Sequence, residues 1–134
     1  MMNIVLDTNI LVSAAWSPGK NAATILKAVF AGKFTACYDS RILNEYIRVL
    51  HYKKLGFTET EINAILDPLI KYGMSVIPDE INNALFDRDE SDRKFYETAK
   101  YCCAILITGN LVHYPADPSI MSPAEFCSRY LDYF

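Results

Sequence analysis

Asn3-Ile4-Val5-Leu6-Asp7-Thr8-Asn9 is the stretch that decides the fold of this 134-residue chain. A short apolar run that ends on an acid is typical of a strand buried in the middle of a sheet. The carboxylate of Asp7 then lies at the edge of the sheet, where α/β proteins carry out their chemistry. Asp7 by itself has a second interpretation, as the cap of a helix that begins at Thr8. Candidate residues elsewhere in the chain are needed to distinguish a functional acid from a helix cap.

The size and composition of the chain favour one globular domain over residues 1–134. A chain of this length buries about two-thirds of its unfolded surface and folds without metal or disulfide staples. Its 51% hydrophobic and 22% charged residues are typical of a packed core rather than of disorder. The sequence has no signal-peptide pattern and no apolar run near the ~20 residues that span a bilayer. We therefore expect no contact with a membrane.

Net charge and cysteine spacing exclude further classes of protein. The net charge of −3 argues against a protein that coats nucleic acid through a basic face. A nuclease remains compatible with it, because acids gathered at a metal site make the total negative while Lys and Arg elsewhere line a groove. The four cysteines lack C-x-x-C spacing, so no zinc site is predicted. We expect a reduced, cytoplasmic protein.

Strands and helices are predicted to alternate along the chain. Capping boxes at Thr58-x-x-Glu61 and Ser122-Pro123-x-Glu125 mark two helix starts, and Gly32 and Gly73 mark helix ends. The predicted strands are 3–7, 34–38, 74–77 and 104–107. The predicted helices are 9–16, 20–31, one from Asp39 or Ser40 to about 51, 58–73, one from the acidic stretch 87–92 to about 103, and one from 122 onward. This order predicts an α/β fold, a three-layer α/β/α sandwich around a mostly parallel sheet.

Glu45 is the second candidate acid, on the helix that follows Asp39. Apolar residues form one broad face of that helix, and Glu45 lies at the edge of the opposite, polar face. An i,i+4 ion pair with Arg41, worth about 0.2–0.5 kcal/mol, also explains its position and is the favoured interpretation from position alone.

Asp92 is harder to explain as an ordinary surface acid. A helical projection places it on the same stripe as Phe95, Tyr96, Ala99 and the cysteines 102 and 103. A charge directed at the core costs several kcal/mol unless something pairs with it. The helix dipole supplies only about 0.3–1 kcal/mol in compensation. A cation is therefore the better partner for Asp92.

The strand at 105–107 ends in polar residues, Thr108-Gly109-Asn110, and so repeats the pattern of the first strand. If the two strands are parallel neighbours, this turn lies beside Asp7 at the carboxyl edge of the sheet. Carboxylates gathered there without interleaved basic residues would repel one another, and hard divalent cations with oxygen ligands relieve that repulsion. Mg²⁺ or Mn²⁺ suits this ligand set, and such an ion can activate water toward a phosphodiester.

With Asp7-Thr8-Asn9, Glu45, Asp89-x-x-Asp92 and Ile107-Thr108-Gly109-Asn110 in this order, the chain resembles the PIN-domain family. Within that family it looks like the VapC-type toxins of toxin–antitoxin pairs. The resemblance implies a metal-dependent endoribonuclease that uses Mg²⁺ or Mn²⁺, has an antitoxin partner and forms a homodimer. Carried over by position, the metal-binding acids are Asp7, Glu45 and Asp92, which are also the catalytic residues, with Asp89 as a supporting acid. Thr8, Asn9 and Thr108 become hydrogen-bonding supports.

One departure from the family pattern concerns the fourth acid. Many members have Thr-Gly-Asp where this chain has Asn110, which offers a neutral carbonyl oxygen to a metal. The alternative function follows from it: a weakly active or silent module that binds RNA or a protein. A phosphoaspartate enzyme of the haloacid-dehalogenase kind is discounted, because it requires an acid at the position of Asn9.

Basic and aromatic residues near these acids are candidates for contact with RNA. Arg41 and Arg48, followed by lysines 53 and 54, and a second group of Arg88, Arg93, Lys94 and Lys100, are placed to steer phosphates. From these we take Arg41, Arg48 and Arg93 as substrate-binding residues, with a solvated helix face as the alternative. His113 is weighed as a proton carrier against a structural role. The tyrosine-rich end, 130–134, is interpreted as packing at the core edge or a dimer contact, or as a base-stacking surface.

Overall fold

The structure, a computed structural model, describes residues 1–131 of the chain. Most of the tyrosine-rich end, residues 132–134, lies outside the described part. The strands are β1 (Asn3–Leu6), β2 (Thr35–Tyr38), β3 (Met74–Ser75), β4 (Ile105–Ile107) and β5 (Ile120–Met121). The helices are α1 (Thr8–Trp16), α2 (Asn21–Phe30), α3 (Ser40–Leu50), α4 (Glu59–Tyr72), α5 (Glu90–Tyr101) and α6 (Pro123–Tyr130). Among the described residues, none of the helices is long and apolar enough to cross a membrane.

The five strands form one sheet in the order β3-β2-β1-β4-β5, and every pairing is parallel. β1 is central, with β2 on one side and β4 on the other. The predicted pairing of the first strand with the strand at 105–107 is confirmed, with Leu6 opposite Ile107. The chain passes from β1 outward through β2 and β3, then returns to the other side of β1. The topology therefore changes direction between β1 and β4.

Both faces of the central strand are covered. Successive side chains of a strand point to opposite faces of the sheet, and the consecutive residues Ile4, Val5 and Leu6 are all at most 1% exposed. α5 packs against β1, β2 and β4, while α3 and α4 pack against β2. This arrangement confirms the predicted α/β class with helices on both sides of a parallel sheet.

The local signals for helix starts are confirmed in detail. Thr58 and Glu61 form the reciprocal capping box of α4, and Ser122 accepts from the backbone N–H of Glu125, with Pro123 in the first turn of α6. Asp39, rather than Ser40, caps α3 through the N–H of Ile42 at 2.9 Å. Short polar side chains at these positions satisfy N–H groups that the helix itself leaves unpaired.

The structure differs from the local predictions in four places. β3 ends at Ser75 rather than at 77, and β5 was not predicted, because two residues are too few to show a period. α5 ends at Tyr101, so Cys103 lies beyond it, exposed and with a φ of 51°, rather than on the buried stripe. Short 3-10 helices at Lys53–Leu55 and Leu111–His113 were also absent from the prediction.

The segment between β3 and α5 has little regular structure and is held by a buried ion cluster. Glu97 of α5 is 2% exposed, accepts from the backbone N–H of Ile81 at 2.7 Å, and pairs with Arg41 at 2.9 Å. Arg93 donates to the backbone oxygen of Ile81 at 2.6 Å and to Glu90 at 2.9 Å, and lies 3.9 Å from Glu97. These contacts fix the start of α5, and hence Asp92, relative to the sheet.

We expect Glu97→Ala to lower the free energy of unfolding by about 3 kcal/mol, because it leaves arginine charge in a partly buried cluster without its carboxylate. Urea denaturation measures this loss. Glu90→Ala is the matched control, since Glu90 pairs with the same arginine but its side chain is 74% exposed, and it should cost at most about 1 kcal/mol. Similar small losses in both variants would show that the cluster does not hold the segment.

Candidate active site

The candidate site lies at the carboxyl edge of the sheet, where the topology changes direction. Asp7 follows β1 and Thr108 follows β4, and the backbone N–H of Asp7 donates to the carbonyl of Ile107 at 3.0 Å. Ligands of open α/β sheets bind at such a switch point, because the connections leave on opposite sides and open a crevice. The sheet thus places the side chains of Asp7 and Thr108 at the edge where a site is expected.

Asp7 occupies the N-cap position of α1, yet its side chain makes no capping hydrogen bond. Instead, Oδ2 of its carboxylate accepts from the hydroxyl of Thr108 at 2.8 Å and from the hydroxyl of Tyr114 at 2.9 Å. Asp7 is only 7% exposed. The alternative interpretation of Asp7 as a side-chain cap is therefore wrong, and its carboxylate is oriented toward the adjoining strand end.

Tyr114 was missed by sequence reasoning. It is 3% exposed, follows the 3-10 helix at Leu111–His113, and packs edge-on against Phe86 with ring centroids 6.4 Å apart. A tyrosine seven residues beyond the end of β4 belongs to no helical or strand period, so only its placement after Thr108 hinted at a role. Burial and the neighbouring acids raise the pKa of Tyr114, which keeps its hydroxyl a proton donor to Asp7.

Glu45 is held by groups from two other elements. The hydroxyl of Thr8 donates to Oε2, the ammonium of Lys94 lies 2.8 Å from Oε1, and Arg48 lies 3.7 Å from the same oxygen. The alternative of an i,i+4 pair with Arg41 is wrong, because Arg41 turns to Asp39 and Glu97. The sequence analysis predicted Lys94 only as one of several basic residues that attract phosphates, and it missed the contact with Glu45.

Asp92 lies one turn into α5, and its partner is a histidine. Nδ1 of His113 is 3.4 Å from Oδ2 of Asp92, and the Asp92 side chain is 16% exposed. Asp89 has a different position: it caps α5, with its Oδ1 accepting from the backbone N–H and the hydroxyl of Ser91, both at 2.9 Å. These hydrogen bonds lower the pKa of Asp89. The structure therefore gives Asp89 a capping role beside the site.

The expectation that no basic residue interleaves the acids was wrong, because Lys94 and His113 each contact one of them. Repulsion nevertheless persists. Burial is the main cause that raises the pKa of Asp7, and the charge of Glu45 adds to it. Burial likewise raises the pKa of Asp92, followed by the charge of Asp7. The acids are therefore close enough to affect one another, and their ionised forms remain short of positive charge.

The turn after β4 ties the two strand ends together. The hydroxyl of Thr108, which is fully buried, accepts from the backbone N–H of Asn110 at 3.0 Å while it donates to Asp7. Oδ1 of Asn9 accepts from the N–H of Gly109 at 3.3 Å. Asn110 itself is exposed at the start of the 3-10 helix, and its side chain makes no capping hydrogen bond.

Of the three arginines predicted to bind substrate, only Arg48 presents its side chain mainly to solvent, at 63% exposure. Arg93 is 11% exposed and occupied by the segment before α5, and Arg41 is held between Asp39 and Glu97. Arg41 and Arg93 therefore have a structural role, since they hold Glu97 and the segment before α5. The sequence did not reveal this role, because most of their partners are distant along the chain.

A divalent cation suits the donor chemistry of this site, since carboxylate oxygens are the ligands of Mg²⁺ and Mn²⁺. Both hydrogen bonds to Asp7 end on Oδ2, so neither uses its Oδ1. In the described part of the chain, however, no three acidic, histidine or cysteine side chains are gathered tightly enough to form a ligand cluster. An ion at this edge would thus depend on few protein ligands and on water, as Mg²⁺ commonly does.

Comparisons with known proteins agree with this fold. The family model of the PIN domain matches residues 3–112. A relative in Methanocaldococcus jannaschii, the uncharacterised protein MJ1680, is 33% identical over 111 residues, which cover 81% of this chain and 71% of that protein. A chain in the crystal structure of VapBC2 from Rickettsia felis bound to a DNA fragment from the promoter has the same fold, with a TM-score of 0.58 at 20% identity, covering 90% of this chain and 97% of that one.

The fold and the acids at its carboxyl edge define a PIN domain, and the match over residues 3–112 places this chain in the PIN-domain family. The resemblance to VapC-type proteins is confirmed at the level of fold.

Tyr114→Phe should lower the free energy of unfolding by about 2 kcal/mol at neutral pH, because a buried carboxylate loses one of its two hydroxyl donors. The loss of that donor also raises the pKa of Asp7 further, so the cost should shrink as the pH falls and Asp7 becomes protonated in the folded state. Urea denaturation across a pH series measures this. Tyr96→Phe is the control, since Tyr96 is also buried but does not contact Asp7; a pH-independent cost for Tyr114→Phe would contradict the contact.

Lys94→Gln should strengthen Mn²⁺ binding about fivefold, because a partly buried ammonium that competes for Glu45 is worth roughly 1 kcal/mol. Isothermal titration calorimetry measures the change in affinity. Lys100→Gln is the matched control, since that lysine pairs with Asp117 instead. Weaker binding in Lys94→Gln would mean that the ammonium supports the ion's site rather than competing with it.

Proposed function

We propose that this PIN domain is a metal-dependent endoribonuclease, the toxin component of a toxin–antitoxin pair. The observation that carries the proposal is the gathering of Asp7, Glu45 and Asp92 at the edge of the sheet: burial raises the pKa of both aspartates, the charge of Glu45 adds to the effect on Asp7, and the charge of Asp7 adds to the effect on Asp92. Acids that are held close together at a cost to their ionised forms favour a cation. Mg²⁺ or Mn²⁺ is the proposed cofactor.

In this proposal Asp7, Glu45 and Asp92 hold the metal, with Asp89 and Asn110 at the margin of the site. A bound ion would supply activation of water and stabilisation of the charge that develops on phosphorus. Thr108 and Tyr114 favour the ionised form of the Asp7 carboxylate and fix its direction, since each donates a hydrogen bond to it. Thr8 does the same for Glu45, and Asn9 braces the turn after β4.

Arg48 is the proposed contact for the RNA backbone, because its side chain is exposed and lies within 3.7 Å of Glu45. Lys94 and His113 add positive charge or hydrogen-bond donors beside two of the acids. These groups beside the acids would reduce the repulsion between RNA and a protein of net charge −3.

The proposed partners are RNA as substrate, an antitoxin protein and a second copy of this chain in a cytoplasmic homodimer of single-domain subunits. The antitoxin is supported by the fold shared with a chain of the VapBC2 complex of Rickettsia felis. The alternative function is a silent PIN module that binds RNA or a protein. Two observations favour that alternative: Lys94 already pairs with Glu45, and Asn110 brings no charge.

Incubation of the purified protein with mixed RNA and Mn²⁺ tests the proposal, beside Asp7→Asn and Asp67→Asn. Asp67 is exposed on α4 and serves as a matched control. We expect cleavage by the wild type and by Asp67→Asn, and a loss of at least about a hundredfold in Asp7→Asn, the scale at which removal of a single charge-stabilising group acts in other enzymes. Equal cleavage by all three proteins would exclude Asp7 as a catalytic residue.

Thermal unfolding with and without Mn²⁺ separates the enzyme from the silent module. A ligand that binds only the folded state raises the melting temperature by mass action. The wild type should therefore be stabilised by millimolar Mn²⁺ and Asp7→Asn should not. Stabilisation without RNA cleavage would favour the silent module, and the absence of both would contradict the metal site.

A further inference from the structure

His113 contacts one acid of the candidate site and is followed in sequence by a residue that contacts another. Its Nδ1 lies 3.4 Å from Oδ2 of Asp92, and the hydroxyl of Tyr114 donates to Asp7 at 2.9 Å. The side chain of Asp92 is largely buried, whereas that of His113 is half-exposed. The imidazole is thus in contact with a shielded carboxylate while much of its own ring remains accessible.

The backbone of the segment after β4 positions this imidazole. The N–H of His113 donates to the carbonyl of Asn110 at 3.0 Å, and the N–H of Tyr114 donates to the carbonyl of Leu111 at 3.1 Å. These bonds form the 3-10 turn that begins directly after Asn110. The bond from the Tyr114 hydroxyl to Asp7 holds the other end of the turn. The location of His113 is therefore set by the backbone, and its ring remains free to rotate onto a ligand.

The spacing between the two side chains is longer than that of a good hydrogen bond. The heavy atoms of N–H···O hydrogen bonds in proteins are about 2.7–3.2 Å apart, and Nδ1 of His113 is 3.4 Å from Oδ2 of Asp92. Two donor atoms that each bind one ion at about 2.1 Å lie about 3.0 Å apart at a right angle and about 3.4 Å apart at the tetrahedral angle. The observed spacing is therefore that of two ligands of a single ion.

An imidazole adds a ligand to this site without adding negative charge. Burial and the charge of Asp7 already raise the pKa of Asp92, so a further carboxylate would increase the repulsion. Imidazole binds a metal in its neutral form. Asn110, at the start of the same turn, brings no charge either. The segment after β4 thus supplies a nitrogen donor to a pair of acids that a single divalent ion can neutralise.

We propose that His113 is a nitrogen ligand of the ion, alongside Asp92, and that it makes the site select transition-metal ions such as Mn²⁺ over Mg²⁺. The proposal rests on the proposed metal-dependent function. Mg²⁺ is a hard ion that prefers oxygen ligands and gives up its water reluctantly. Imidazole nitrogen is a better ligand for transition-metal ions. A nitrogen donor therefore adds more to the affinity for Mn²⁺ than to that for Mg²⁺.

Pulsed electron paramagnetic resonance of bound Mn²⁺ tests the ligand directly, without RNA. A nitrogen that coordinates Mn²⁺ modulates the spin echo of the ion, and histidine labelled with the heavy nitrogen isotope changes the frequency of that modulation. The labelled wild type therefore tests the proposal without any substitution. We expect the modulation in the wild type and its loss in His113→Gln. His51→Gln is the matched control, because His51 is the other histidine of the chain and contacts Glu59 instead.

Affinities for the two ions test the selectivity. Isothermal titration calorimetry measures the binding of Mn²⁺ and of Mg²⁺ to the wild type and to both variants. We expect His113→Gln to weaken Mn²⁺ binding at least about tenfold, since even residues that only support a metal ligand contribute that much. Mg²⁺ binding should weaken less, and His51→Gln should leave both affinities unchanged. Equal losses for the two ions in His113→Gln would overturn the selectivity.

The outcomes for the ligand and for the nuclease are distinguishable. Bound Mn²⁺ without nitrogen modulation would overturn His113 as a ligand, and RNA cleavage that still depends on Asp7 would leave the nuclease standing. Slower cleavage by His113→Gln with wild-type Mn²⁺ affinity and spectrum would assign His113 to proton transfer and overturn the ligand. Nitrogen modulation that His113→Gln abolishes, in a protein that cuts no RNA, would support the ligand and contradict the nuclease. Failure of the wild type to bind Mn²⁺ would overturn both.

Discussion

The burial of the Asp7 carboxylate is the constraint on which the rest of this structure depends. A negative charge that is 93% shielded from water would be expelled or protonated without compensation. Thr108 and Tyr114 compensate for the buried charge, because each has a hydroxyl that donates to the same carboxylate oxygen. These two donors stand at opposite ends of one short segment, from the end of β4 to the end of the following 3-10 helix. The acid therefore organises the segment, and the segment orients the acid.

The acids at the sheet edge and the buried Glu97 have different partners. Glu45 and Asp92 come from separate helices, and their nearest basic partners are the ammonium of Lys94 and the imidazole of His113. Arg41 and Arg93 instead hold Glu97 and the start of α5. Planar guanidinium groups fix structure, while ammonium and imidazole groups adjust to a ligand. Burial, together with the charge of a neighbouring acid, therefore still raises the pKa of Asp7 and of Asp92, and acids perturbed in this way cluster at functional sites.

The sequence predicted the fold well and the site in part, for identifiable physical reasons. β1 and β4 were found because each is a short apolar run that ends on polar residues, and α4 and α6 because their caps use local side chains. The pairing of β1 with β4 followed from their similar ends. Tyr114 and the Lys94–Glu45 pair were not found, since their contacts join residues far apart in sequence that share no period. Arg93 was misjudged for the same reason, because its partners in the 81–90 segment are set by tertiary packing.

The hydrogen bonds around the neutral Asn110 show how this position is connected to Asp7. Its backbone N–H donates to Thr108, which in turn donates to Asp7, so this position is connected to Asp7 through the backbone rather than through its side chain. An acid at 110 would add negative charge to a site in which Asp7 and Asp92 already have raised pKa values. With Asn110 the site carries one negative charge fewer than an acid at this position would give it. Lys94 beside Glu45 acts in the same direction, because its ammonium offsets part of the negative charge that remains.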